Sequence, residues 1–134
     1  MKANEKEKSA DKAANSRAVL VVDDLEGIRS LLEEFLAPEG YAVLSARNGQ
    51  EAIKIAEAVS ISLLLSDVQM PGIDGVELAN HLKSLYPEMG VILMSGHRGE
   101  VLTTEKVDKL QAILLWKPFT KKELLSAMRS ALRR

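Results

Sequence analysis

The 134-residue chain carries 18 Lys and Arg against 19 Asp and Glu, a formal net charge of -1, with 46% hydrophobic and 28% charged residues. This balance fits one globular domain and argues against a disordered chain, and nothing in the total charge points to nucleic acid or an anionic membrane as partner. There is no cysteine, which excludes disulfides and thiolate metal sites; with no apolar stretch near the roughly 18 residues of a membrane span and no apolar signal-peptide core, a cytoplasmic protein is the expectation.

In chain order, residues 1–16 are Lys, Glu, Ala, Asn and Ser with Met1 as the only large apolar side chain. Such a segment cannot offset its ordering entropy by burial, so it reads as a tail or linker ahead of a domain over residues 17–134. Ala18-Val19-Leu20-Val21-Val22 is a short continuous apolar run, the mark of a strand covered on both faces, and Asp23-Asp24 ends it. Ile28, Leu31, Leu32, Phe35 and Leu36 then recur at helical spacing until Pro38-Glu39-Gly40 stops the helix. Residues 41–46 read as a second strand, Asn48-Gly49 as a turn, and residues 51–59 as a helix with Ala52, Ile55, Ala56 and Val59 inward. A third strand covers residues 61–66 and ends at Asp67, and Met70 to Gly75 is a loop of turn formers. A helix over residues 76–85 presents Leu78, Ala79, Leu82 and Leu85. The fourth strand, residues 91–94, ends at Ser95, and residues 100–109 form a weaker helical pattern. The fifth strand, residues 113–116, ends at Lys117, and a last helix over residues 121–133 runs through Leu124, Leu125, Met128 and Leu132.

Five strand-then-helix units with buried strands predict an α/β fold, an open parallel sheet with helices on both faces. In such sheets ligands sit outside the carboxyl ends of the strands. Four of those ends carry Asp23-Asp24, Asp67, Ser95 and Lys117. Clustered, three carboxylates and one ammonium make a strongly negative crevice in which like charges repel by several kcal/mol, roughly, at a protein-surface dielectric. A bound cation relieves that repulsion, and an oxygen-only donor set selects a hard, partly hydrated ion, Mg2+. A carboxylate beside Mg2+, an ammonium and a hydroxyl is an acceptor for phosphoryl transfer, with Asp67 as nucleophile and Asp23 and Asp24 as metal holders. Taken singly, each residue has a plainer reading: a helix cap, a turn or a solvated lysine. His81 and His97 lie in no motif that would make either a metal ligand or a phosphate donor, and Trp116 reads as a strand residue packed beside a helix.

VLVVDD (19–24), LLLSDVQMPGIDG (63–75), VILMSG (91–96) and WKPF (116–119) closely resemble the response-regulator receiver domain of two-component signalling, in that family's order and across nearly all of residues 17–133. The resemblance implies the flavodoxin-like strand order 2-1-3-4-5. It implies Asp67 as phosphoacceptor and Asp24 as direct Mg2+ ligand, Asp23 acting mainly through water and the backbone carbonyl of Gln69 completing the metal site. Ser95 takes the switch position, Lys117 pairs with the phosphoryl group, and the bond before Pro118 is cis. The implied partners are a histidine kinase or histidine phosphotransfer protein and an unknown downstream protein, with no direct nucleic acid or membrane contact. The domain is then a switch that catalyses only its own phosphorylation and dephosphorylation.

Two departures stand out. Leu114 occupies the position where most receivers carry an aromatic switch residue, and residues 100–111 lack the Ala-Gly-Ala pattern common before the fifth strand, as in receivers attached to hybrid histidine kinases. No output domain is expected after Arg134, and a single-domain regulator or a module of a larger kinase is the expectation. An Asp-nucleophile phosphatase would need Asp-x-Asp after the first strand, and Asp23-Asp24 has no spacer. A receiver reduced to a binding module would have lost an acidic residue or the lysine, and none is lost.

Overall fold

A computed structural model describes residues 18–96 and 104–133. The expected tail at 1–16, the loop residue His97 and the start of the helix expected from residue 100 lie outside the described residues. The strands are β1 (Ala18–Val22), β2 (Ala42–Ala46), β3 (Leu63–Asp67), β4 (Gly90–Ser95) and β5 (Ile113–Trp116). The helices are α1 (Glu26–Leu36), α2 (Gly49–Ala58), α3 (Gly75–Leu85), α4 (Thr104–Leu110) and α5 (Lys121–Leu132), with a 3-10 turn at Ala37–Glu39.

All four strand pairings are parallel and the order is β2-β1-β3-β4-β5. Because side chains alternate along a strand, the apolar run of β1 divides between two cores. Leu20 and Val22 join Leu64, Ala52, Ala56, Leu78 and Leu82 beneath α2 and α3. Val19 and Val21 join Leu65, Ile92, Leu32, Leu36, Leu124 and Met128 beneath α1 and α5. Both faces of β1, β3 and β4 are therefore dry, which is why their sequences read as continuous rather than alternating apolar runs.

The helix starts are built from side chains. Asn48 accepts from the Glu51 amide at 2.8 Å and caps α2, so it is a helix cap with Gly49 already helical, where the sequence suggested a turn. Asp74 with Glu77, and Thr120 with Glu123, form reciprocal capping boxes at α3 and α5. The 3-10 turn ends at Gly40, whose φ of 95° needs a glycine. Three apolar positions are less covered than the helical pattern suggested: Leu31, Val59 and Leu85 are exposed. Trp116 is likewise 45% exposed rather than packed away beside a helix.

Candidate active site

The register brings the strand ends to one edge. Val22 of β1 pairs with Ser66 of β3, so Asp23 emerges beside Asp67. Asp67 pairs with Met94, which puts Ser95 one step beyond, and Ser95 pairs with Trp116, which puts Lys117 one step beyond again.

Asp23 is fully buried. Its amide donates to the Ala46 carbonyl at 3.2 Å, Oδ1 accepts from the Leu25 amide at 3.0 Å, and Oδ2 accepts from Lys117 Nζ at 2.9 Å. Its carbonyl accepts from Arg29 Nη1 at 2.8 Å. Asp24 is the next residue along and is exposed.

Asp67 is 9% exposed and closes β3. Around it the backbone is tightly held: Val68 donates to the Met94 carbonyl at 2.9 Å, Gly75 donates to the Val68 carbonyl at 2.8 Å, and the buried Ser66 hydroxyl donates to the Asp67 carbonyl at 2.9 Å. The first turn of α3 passes so close that a Cβ on Gly75 would stand 2.3 Å from the Asp67 carbonyl oxygen. Gln69, exposed in the loop that follows, contributes a backbone hydrogen bond to the Asp67 carboxylate.

Lys117 is anchored by its amide, which donates to the Ser95 carbonyl at 2.8 Å, and the bond to Pro118 is cis, as the resemblance implied. Its ammonium lies 2.9 Å from Asp23 and 3.5 Å from Asp67. Ser95 itself is buried.

Carboxylate oxygens of Asp23, Asp24 and Asp67 lie within 4.8 Å of one another. Burial is the largest influence on Asp67 and pushes its carboxyl above the usual value; Lys117 opposes that and the Asp23 charge adds to it. For Lys117 burial favours the neutral amine, yet its hydrogen bond and charge interaction with Asp23, together with Asp67, more than offset this and raise its pKa. The Lys117 ammonium thus pairs with two of the three clustered carboxylates. Oxygen donors alone at this spacing suit a hard divalent cation such as Mg2+.

Every site residue expected from the strand ends reaches this edge. Two others were not read as part of the site. Gly75 carried only a turn signal. Arg29 had a better one, because it falls on the α1 stripe of Leu32 and Leu36 at i, i+3 and i+7, where a charged residue needs a partner. Leu114 pairs with Leu93 and is partly buried against the α2–α3 core.

The sequence matches the profile of the response regulator receiver domain over residues 19–129. The chain belongs to that family. Among relatives, this receiver is 36% identical over 117 residues to the autoinducer 1 sensor kinase/phosphatase LuxN of Vibrio campbellii, spanning 87% of this chain and 13% of that protein. It is 35% identical over 115 residues to sporulation initiation phosphotransferase F of Bacillus subtilis, spanning 85% of this chain and 92% of that one. The receiver also superposes on the signal receiver domain of an HD domain-containing protein from Pseudomonas fluorescens Pf-5 with a TM-score of 0.81 at 28% identity, over 89% of this chain and 88% of that one. The same receiver sequence thus matches a small part of one relative and nearly all of another. Among the described residues, no helix is long and apolar enough to cross a membrane.

Proposed function

We propose that this receiver is a phosphoryl-accepting switch in a two-component phosphorelay, with Asp67 taking the phosphoryl group from a histidine kinase or a histidine phosphotransfer protein. The observation that carries the reading is the convergence of Asp23, Asp24 and Asp67 within 4.8 Å, with the Lys117 ammonium paired to Asp23 and Asp67. A site built only for stability would not gather three carboxylates with one lysine, because the uncompensated charge is costly.

Asp24, Asp67 and the Gln69 carbonyl would hold Mg2+, with Asp23 acting from behind through water. Bound there, the ion supplies positive charge for the phosphoryl oxygens. The Asp67 carboxylate attacks phosphorus, the bond from phosphorus to the donor imidazole nitrogen breaks with its electron pair leaving on nitrogen, and an acyl phosphate forms on Asp67. Lys117, fixed by Asp23, pairs with the transferred group, and the Ser95 hydroxyl donates to one of its oxygens. A groove of about 370 Å³ lined by Ile28, Leu31, Gly96, Lys117, Pro118 and Phe119 adjoins the lysine. This apolar surface beside the acceptor supports docking of the donor protein there.

In this reading the domain is cytoplasmic, turns over no separate substrate, and acts through a downstream protein rather than on nucleic acid or membrane. Its relation to LuxN supports a second arrangement, a receiver serving within a longer hybrid kinase, with the same chemistry at Asp67. The test is intact-mass spectrometry after incubation with acetyl phosphate. One phosphoryl group per chain is expected with Mg2+ and none in excess EDTA or in Asp67→Asn; equal labelling of that variant would remove the assignment.

A further inference from the structure

We infer that Arg29 is a positioning residue for the cation site, holding the peptide that joins Asp23 to Asp24 and so the direction in which Asp24 presents its carboxylate. The inference rests on the proposed use of Asp24 as a metal ligand. Asp24 is exposed, and among the described residues no hydrogen bond or ion pair holds its side chain. Its placement therefore depends on the backbone of the turn. Three of the four polar groups of Asp23 are satisfied by the β2 backbone, by Leu25 and by Lys117. The fourth is the carbonyl of the Asp23–Asp24 peptide, and it accepts from Arg29 Nη1 at 2.8 Å. With that bond made, the peptides on both sides of Asp23 are held, the one before it by the Ala46 carbonyl and the one after it by Arg29.

Helix stability does not account for an arginine here. Arg29 lies in the first turns of α1, near the positive end of the helix dipole, where a cation is unfavourable. A positive charge beside a cation site also repels the cation. What Arg29 adds is a charge-assisted hydrogen bond from a planar donor to a partly buried carbonyl, made by a side chain that is itself partly buried. Outer partners that orient a metal ligand commonly govern affinity as strongly as this role requires.

Removing the guanidinium has two opposed consequences. Loss of its charge strengthens cation binding, whereas loss of the hydrogen bond frees the peptide and weakens it. Positioning dominates if the inference holds, so Arg29→Met should bind Mg2+ about tenfold more weakly, the low end of the usual cost for an outer partner. Arg29→Lys, which keeps a charged donor on a long stem, should recover most of the loss, within about threefold of the parent. Calorimetric titration with Mg2+ alone reads this for the parent, Arg29→Met, Arg29→Lys and Asp24→Asn, beside melting midpoints in EDTA. Weaker binding in Arg29→Met with a recovery in Arg29→Lys supports the inference. Binding in Arg29→Met equal to or tighter than the parent overturns it, as does an equal loss in both variants that tracks a fall in melting midpoint. Binding in the parent that Asp24→Asn does not weaken removes the proposed metal site and this inference with it. An Arg29→Met result matching the parent, while Asp24→Asn is weakened, removes the inference alone.

Discussion

Gly75→Ala adds one methyl group at the tightest point of the site. An ideal Cβ there would lie 2.3 Å from the Asp67 carbonyl oxygen, 3.0 Å from Val68 Cα and 3.1 Å from the Asp67 carbonyl carbon. All three are backbone atoms, so no side chain can swing away, and restoring an ordinary contact requires a shift of roughly 1 Å. Either α3 lifts, breaking the 2.8 Å bond from Gly75 to the Val68 carbonyl, or the Asp67 peptide turns, breaking the 2.9 Å bond from Ser66. Overpacking of this kind costs about 1–3 kcal/mol, and the helix preference for Ala over Gly returns at most about 1. The expected net is a loss of about 1–2 kcal/mol, or roughly 3–8 °C in melting midpoint for a chain of this size. The effect on chemistry should be larger, because misplacing a reacting group by about 1 Å costs on the order of 100-fold in rate. Time courses of acetyl phosphate labelling at saturating Mg2+, read by intact mass, measure this beside thermal melts. Gly27→Ala is the control: Gly27 is exposed near the start of α1 and its Cβ would meet nothing within 4 Å. That variant should gain about 0.5–1 kcal/mol and label normally. Labelling of Gly75→Ala at the parent rate, with an unchanged midpoint, would refute the close-approach argument.

Lys117→Ala should keep Mg2+ binding yet lose most phosphorylation, since the cation that pairs with the incoming charge is gone; parent-like labelling would place Lys117 outside the chemistry. Asp67→Asn in EDTA should melt higher than the parent at neutral pH. Because burial raises the Asp67 carboxyl above its usual 3.8, the stability its protonated form contributes is present below 3.8 and lost as pH rises through the folded value. The gap between the two proteins should therefore close as the pH is lowered, and a constant gap would contradict the assigned shift. With Leu114 in place of an aromatic residue, beryllofluoride should change backbone amide exchange mainly between Ser95 and Lys109. Changes centred instead on Leu114 to Trp116 would show that the fifth strand carries the switch.

The three central strands were legible because β1, β3 and β4 are covered on both faces, so Val19 to Val22, Leu63 to Leu65 and Val91 to Met94 appear as unbroken apolar runs. The clustering at the candidate site was legible for a related reason: parallel strands deliver their carboxyl ends to one edge, so Asp23, Asp67, Ser95 and Lys117 could be collected without knowing a single contact. Helix edges were less readable. Leu31 and Leu85 continue the helical period, but whether the margin of a stripe is covered depends on the neighbouring element, and here both remain exposed. Asn48 and Gly75 carry turn signals that serve equally as a cap and as a point of close approach, and only the packing separates these uses. Arg29 stood in an apolar stripe, but its partner is a backbone carbonyl, which leaves no mark in the sequence.

In the proposed function, one carboxylate among three clustered ones, that of Asp67, becomes the acyl phosphate. Borohydride reduction of the labelled protein converts an aspartyl phosphate to homoserine, and peptide sequencing by mass spectrometry then finds its position. Homoserine is expected at position 67 alone, in samples labelled with Mg2+ present. Homoserine at position 23 or 24, or a phosphate on Ser95 that survives hydroxylamine, would contradict it.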